Sequence, residues 1–188
     1  MRDIDWKNEY TDEEGKIYLR PMTYDDAETF VKWRNSDSVK KFFIYREKFT
    51  KEGQITWMKN NVDTGKAVQM IVAIKDTDRP IGCVYFLAVD RTHNKAEYGV
   101  LIGEDDARGK GYGTKIAKLM LRFGFKELGL HRIYLRALEG NDRAIKSYEN
   151  AGFKKEGFLT DDVLIDGEYR NVVWMAAVNN TYKLKATV

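Results

Sequence analysis

Residues 107–114 read Ala-Arg-Gly-Lys-Gly-Tyr-Gly-Thr, with glycines at 109, 111 and 113 and two bases, Arg108 and Lys110, beside them. Glycine loses more conformational freedom on folding than any other residue, so three at alternate positions mark a place where another group comes up to the backbone. The flanks say what kind of group. "KAEYGVLI" (95–102) has strand character, and from about Gly111 to Glu127 the apolar residues Ile116, Ala117, Leu119, Met120 and Phe123 recur about one helical turn apart. A strand, a glycine turn and a helix N-terminus make an anion site. The first-turn N–H groups have no partner within the helix, and the helix dipole is positive there.

The spacing excludes two familiar phosphate grips. A P-loop runs Gly-x-x-x-x-Gly-Lys-Ser/Thr, an ending this stretch lacks. A dinucleotide fingerprint, Gly-x-Gly-x-x-Gly counted from Gly109, needs a glycine where Thr114 stands. What remains is another phosphate-bearing ligand held by backbone. The plainer alternative is a tight turn that needs left-handed residues for its own geometry.

Few other residues offer chemistry. Cys83 is the sole cysteine, set in apolar "IGCVYFL", and reads as a buried thiol with no disulfide to make. His93 and His131 have no cysteine or carboxylate at metal-ligand spacing, so no metal is expected. The acidic run Glu104-Asp105-Asp106 sits awkwardly beside the proposed anion site and reads as a solvent-facing stretch whose role the sequence does not give.

The elements that must position the glycine turn follow from periodicity. "KIYLRP" (16–21) is a short strand, and Thr23 with Asp26 makes a capping-box pattern before a helix carrying Ala27, Phe30, Val31 and Trp33. A second helix runs from near Thr50 to about Asn61, while "VKKFFIYREKF" between them fits no regular element. Strand-like segments at 67–74, 80–89 and 95–102 are joined by the turns "DTDRP" and "DRTHN". After the long helix come a strand at 131–138, a helix capped by Asn141 and stopped at Gly152, and two strands, 156–165 and 168–178, about the Asp166-Gly167 turn. This is a single mixed α/β domain at 16–178, between a loosely held N-terminal arm (1–15) and a C-terminal tail (179–188).

Composition agrees with that reading. The chain has 188 residues, 43% hydrophobic and 32% charged, with a net charge of +3. That charge is too small to argue for nucleic acid, although it would help recruit a phosphorylated ligand. No stretch approaches the roughly 20 apolar residues of a membrane span. The polar N-terminus lacks the apolar core of a secretory signal, which makes the cytoplasm the default location.

Arg108-x-x-Gly111-x-Gly113 resembles the acyl-CoA pyrophosphate signature of the GNAT superfamily of N-acetyltransferases, and "GNDRAIKSYENAGF" resembles that family's second conserved element. The start, "LRPMTYDDAETFVKWRN", is similar to the branch of ribosomal-protein, spermidine and amino-sugar-nucleotide acetyltransferases. The resemblance spans 16–178. It implies a mixed, mostly antiparallel central sheet flanked by helices, whose strands splay apart to admit acetyl-CoA as co-substrate. The strand 96–102, with Val100, Leu101 and Ile102, would pair with the pantetheine arm. The amides of Arg108, Gly109, Lys110, Gly111, Tyr112, Gly113 and Thr114 would receive the pyrophosphate. Asn141 would contact the CoA arm, cap its helix, or both.

The resemblance implies direct acetyl transfer to a primary amine, and such transfer has three requirements. An alkylamine with pKa near 10.4 arrives charged and must lose a proton. Glu97 is the candidate base, against the alternative of a carboxylate paired to Lys95 or Arg136. A backbone N–H near Val100 to Leu101 would hold the oxyanion. Tyr148, by likeness to the family tyrosine, would protonate the leaving thiolate.

The resemblance puts Trp33, Arg34, Phe42, Phe43, Tyr45 and Trp57, with the final hairpin, around the acceptor. The alternative reading of the two tryptophans is plain core. A protein N-terminus, a polyamine and an amino sugar all remain open as acceptors. A polyamine would want convergent acids, which Asp161, Asp162 and Glu168 offer. The partner is then an amine acceptor, small molecule or peptide, with no membrane or nucleic acid and room for a homodimer. A non-catalytic acyl-CoA sensor on the same fold is the competing class.

Overall fold

The computed structural model describes residues 3–180; the outer parts of the terminal segments, 1–2 and 181–188, lie outside the described residues. One seven-stranded sheet runs through the domain in the order β1 (Ile17–Pro21), β2 (Val68–Ile74), β3 (Pro80–Asp90), β4 (Lys95–Ile102), β5 (Arg132–Leu138), β7 (Glu168–Val178), β6 (Lys154–Ile165). Every neighbouring pair is antiparallel except β4 and β5. Those two are parallel because the long helix of the crossover between them carries the chain back across the sheet.

Strand alternation sends residues to two different layers. Ala96, Tyr98, Val100 and Ile102 of β4 pack with Ile133, Leu135 and Ala137 of β5 under α5 (Tyr112–Lys126) and α6 (Asp142–Ala151). Cys83, Tyr85 and Leu101 face the opposite layer, built by α2 (Ala27–Asn35), α3 (Asp37–Lys40) and α4 (Lys51–Asn61). Both layers are needed to cover a sheet whose central strands are apolar on both faces. The predicted stripe of α5, Ile116, Ala117, Leu119, Met120 and Phe123, is buried, and each of its larger side chains contributes about 1.5–3 kcal/mol on burial.

Local signals act as expected. Thr50 accepts from the Gly53 N–H at 3.1 Å and starts α4. The Asp26 carboxylate takes the Thr23 N–H at 2.8 Å and its hydroxyl at 3.0 Å. Gly152, with φ +113°, ends α6, and Asp166 and Gly167 both take positive φ in the hairpin turn.

One expectation needs correcting. The arm is not loosely held: it forms α1 (Trp6–Glu9), buries Ile4 and Tyr10, and docks on α5, where the Tyr10 hydroxyl meets Glu127 at 2.9 Å. The aromatic stripe Trp6–Tyr10–Phe123, with centroids 5.2–5.6 Å apart, is what anchors it. The acidic run faces solvent at Asp105 and Asp106, as expected, and the structure adds its partners. Glu104 accepts from the Trp33 indole at 2.8 Å, Asp105 pairs with Arg108 at 2.7 Å, and Asp106 with Arg79 at 2.8 Å. The run ties the glycine turn to α2 and to the start of β3.

Candidate active site

β4 and β5 pair only at Lys95–Arg132, Ala96–Ile133 and Glu97–Tyr134. Beyond that point β4 runs on to Ile102 and β5 to Leu138 without strand pairing, so the sheet splits. The space between them is a cleft of about 450 Å³. Its floor is the free edge of β4, which leaves backbone groups from Tyr98 onward without a strand partner on that side. An extended ligand with amide groups is what such an edge accepts.

The glycine turn lies at one end of the cleft. Gly109 (φ +83°) and Gly111 (φ +76°) are left-handed, and Gly111 is the residue from which α5 starts. A side chain at either is strained by that backbone. Gly113 is different: a Cβ there would come within 3.2 Å of the Ser147 hydroxyl, so it lets α5 and α6 approach. The stretch therefore satisfies the turn reading at two positions and a helix contact at the third. The same geometry leaves the N-terminus of α5 open to the cleft.

Of the predicted binding residues, Val100, Leu101, Ile102, Arg108, Gly109, Gly111, Tyr112, Gly113 and Asn141 line this cleft. Lys110 is exposed on the turn outside the lining, and Thr114 turns its hydroxyl to the Ser147 carbonyl at 3.3 Å. The Arg108 guanidinium braces the mouth: Nε and Nη2 donate to the Ile102 carbonyl at 3.0 Å, and Nη1 reaches the Ser38 carbonyl at 3.3 Å. Asn141 holds the N-cap position of α6 yet makes no side-chain capping bond, which leaves its amide available to the cleft it lines.

The two candidate catalytic groups share the cleft but stand on different layers. Tyr148 lies on α6, edge-on to Tyr98 at 5.9 Å and to Phe153 at 6.0 Å. Burial pushes its phenol up to about 12, so it keeps its proton through neutral and mildly alkaline pH. Glu97 points to the other layer, and its carboxylate takes the Arg136 Nε at 2.9 Å. Of the two partners expected for Glu97, Arg136 is the one found.

Several lining residues carry no sequence signal. Tyr85 on β3 stands opposite Gly99 in register, and a Cβ on Gly99 would fall 2.2 Å from its ring. Gly99 thus exists so that Tyr85 can lie across β4 into the cleft. Burial raises the Tyr85 phenol as well. Arg136 is another, named before only as a partner for Glu97. On the acceptor side Phe42, Phe43 and Tyr45 line the cleft, while Trp33 is core and Trp57 packs partly buried beside it. Asp161, Asp162 and Glu168 are exposed on the hairpin and none lines the cleft. Cys83 is fully buried, and burial holds its thiol protonated.

A split sheet, a glycine turn at a helix N-terminus and a tyrosine inside the split agree with a family comparison. Residues 16–154 match the acetyltransferase (GNAT) domain model, and the chain belongs to that family of N-acetyltransferases. It is 27% identical over 166 residues to the spermidine N(1)-acetyltransferase of Escherichia coli K12, covering 88% of each chain. A crystal structure of the Vibrio cholerae spermidine N-acetyltransferase in complex with CoA and spermine superposes with a TM-score of 0.81 at 23% identity. The alignment covers 87% of this chain and 95% of that one. A dodecameric structure of the same Vibrio enzyme aligns at TM-score 0.76 and 23% identity, over 91% of this chain and 98% of that one. Among the described residues no helix is long and apolar enough to cross a membrane.

Proposed function

We propose that this protein transfers an acetyl group from acetyl-CoA directly to a primary amine bound in the cleft between β4 and β5. The observation that carries this reading is the split after Glu97–Tyr134, which opens between the glycine turn and Tyr148.

The residues present fit a CoA thioester as donor substrate. The free edge of β4 suits the amide groups of a pantetheine arm. The left-handed glycines aim the first-turn amides of α5 at a pyrophosphate, and the uncapping Asn141 amide supplies a further polar contact. In transfer, Glu97 takes the proton that the bound ammonium loses, directly or through water, so that the neutral amine attacks the thioester carbonyl. A backbone N–H near Val100 to Leu101 meets the developing oxyanion. Tyr148 gives its proton to the departing thiolate. A phenol kept protonated by burial is suited to that task because it begins the step with the proton in place.

An acetyl-CoA turnover screen over primary amines tests the reading, together with Tyr148→Phe. The variant should bind CoA within a few-fold of the parent and lose about a hundred- to ten-thousand-fold in kcat. Unchanged turnover removes Tyr148 from the mechanism. CoA binding without transfer to any amine favours the sensor reading instead. Like its dodecameric relative, we expect the protein to form a homo-oligomer, larger than the dimer that the family resemblance leaves room for.

A further inference from the structure

The relatives' names point toward a polyamine acceptor, but the charge on the acceptor side of this cleft has the wrong sign for one. Glu97 is the one carboxylate there among the described lining residues, and Arg136 already holds it; the other lining acid, Asp142, opens α6 beside Asn141. Behind the wall Arg34 is buried, 6% exposed, with its guanidinium 3.8 Å from the Phe43 ring centroid and 4.5 Å from that of Phe49. Its Nη2 donates to the Tyr45 carbonyl at 3.0 Å, while Nη1 is buried with no hydrogen-bond partner. No carboxylate pairs with Arg34 among the described residues. The wall segment, 39–49, carries Lys40, Lys41, Arg46 and Lys48 against Glu47; Arg46 is paired with Asp166 of the hairpin, and the three lysines stand outside the lining as background positive charge.

A tail carrying ammonium groups would meet the Arg136 guanidinium with no free carboxylate among the lining residues on that side. A carboxylate or phosphate tail meets the opposite situation. The contact with Glu97 uses one N–H of the Arg136 fork, and a guanidinium offers five in a plane that matches such oxyanions. Tyr45, whose phenol bears on Arg136, closes the same side.

We infer that the acceptor is an amine tethered to an anionic oxygen group, carboxylate or phosphate, and that Arg136 selects it. The inference rests on the transferase reading above and narrows its acceptor.

The test compares kcat/KM for amines that differ only in the tail: butylamine, 1,4-diaminobutane, 4-aminobutyrate and 3-aminopropyl phosphate, with spermidine added. The anionic tails should exceed 1,4-diaminobutane by at least about tenfold, the worth of one charge-assisted hydrogen bond. That advantage should grow as salt is lowered, and the better of the two anionic amines identifies the group. In Arg136→Gln the ratio of anionic to neutral amine should collapse, chiefly through KM. A purely structural role for Arg136 would lower all amines alike and leave the ratio intact. Lys41→Glu, an exposed change beside Phe42 at the cleft, should reduce the same ratio by a smaller factor. Preference for spermidine or 1,4-diaminobutane, or a ratio unmoved in both variants, overturns the inference. CoA binding without transfer to any amine defeats the transferase reading, and the inference falls with it.

Discussion

The two sides of the cleft are built on different principles. On the side of α5 and α6 the lining is largely backbone: left-handed glycines, the start of a helix and the unpaired edge of β4, with Asn141 and Tyr148 added from α6. On the other side the lining is side chains from four separate segments. Phe42, Phe43 and Tyr45 come from the irregular wall segment, Tyr85 from β3, Glu97 from β4 and Arg136 from β5. Backbone groups are the same in every sequence, so the first side suits one constant substrate. Side chains differ from protein to protein, so the second side is where specificity can vary without disturbing the donor site.

The largest effect that would break this division is at Glu97. Glu97→Gln should lower kcat about a hundredfold or more, while CoA affinity stays put because the carboxylate belongs to the other side. Turnover unchanged by the substitution removes Glu97 as base and leaves it as a partner of Arg136.

Gly111→Ala separates turn geometry from packing. Nothing lies within 4 Å of the added Cβ, so the whole cost is the left-handed backbone, about 1–2 kcal/mol, read as lowered stability in denaturant with weakened CoA binding. Gly113→Ala should behave otherwise, because its Cβ meets the Ser147 hydroxyl at 3.2 Å. Removing that hydroxyl with Ser147→Ala should recover most of the Gly113→Ala loss and none of the Gly111→Ala loss. Equal recovery of both would mean that the glycines share one role.

The smallest effect is at Asn141. A lost N-cap costs about 1 kcal/mol, but the Asn141 side chain makes no capping bond, so Asn141→Ala should change stability by less than about 0.5 kcal/mol. CoA affinity should nonetheless fall several-fold. The reverse pattern, stability lost and affinity kept, would assign Asn141 to the helix rather than to the ligand.

Much of this molecule can be read in one dimension. "KAEYGVLI" is a strand over the residues expected, α5 begins one residue after its predicted start, and Asp166-Gly167 turns the last hairpin. These are local facts, set by period and turn chemistry within a few residues. Where expectation and structure part, the deciding contact is long-range. The arm looks loose in sequence because its polar residues conceal Ile4, Trp6 and Tyr10; Phe123, against which Trp6 and Tyr10 pack, lies across the fold. The role of the acidic run is not legible in sequence because its partners Trp33 and Arg79 come from other elements.

The glycine-turn side of the cleft is legible in one dimension, since a glycine turn between a strand and a helix places its amides through local geometry alone. The side-chain-lined side takes shape only through packing. The pairing of Glu97 with Arg136 depends on the parallel register of β4 and β5, and the stacking of Arg34 between Phe43 and Phe49 depends on how an irregular segment folds back on α2. No spacing along the chain encodes either contact, because each joins residues that only packing brings together.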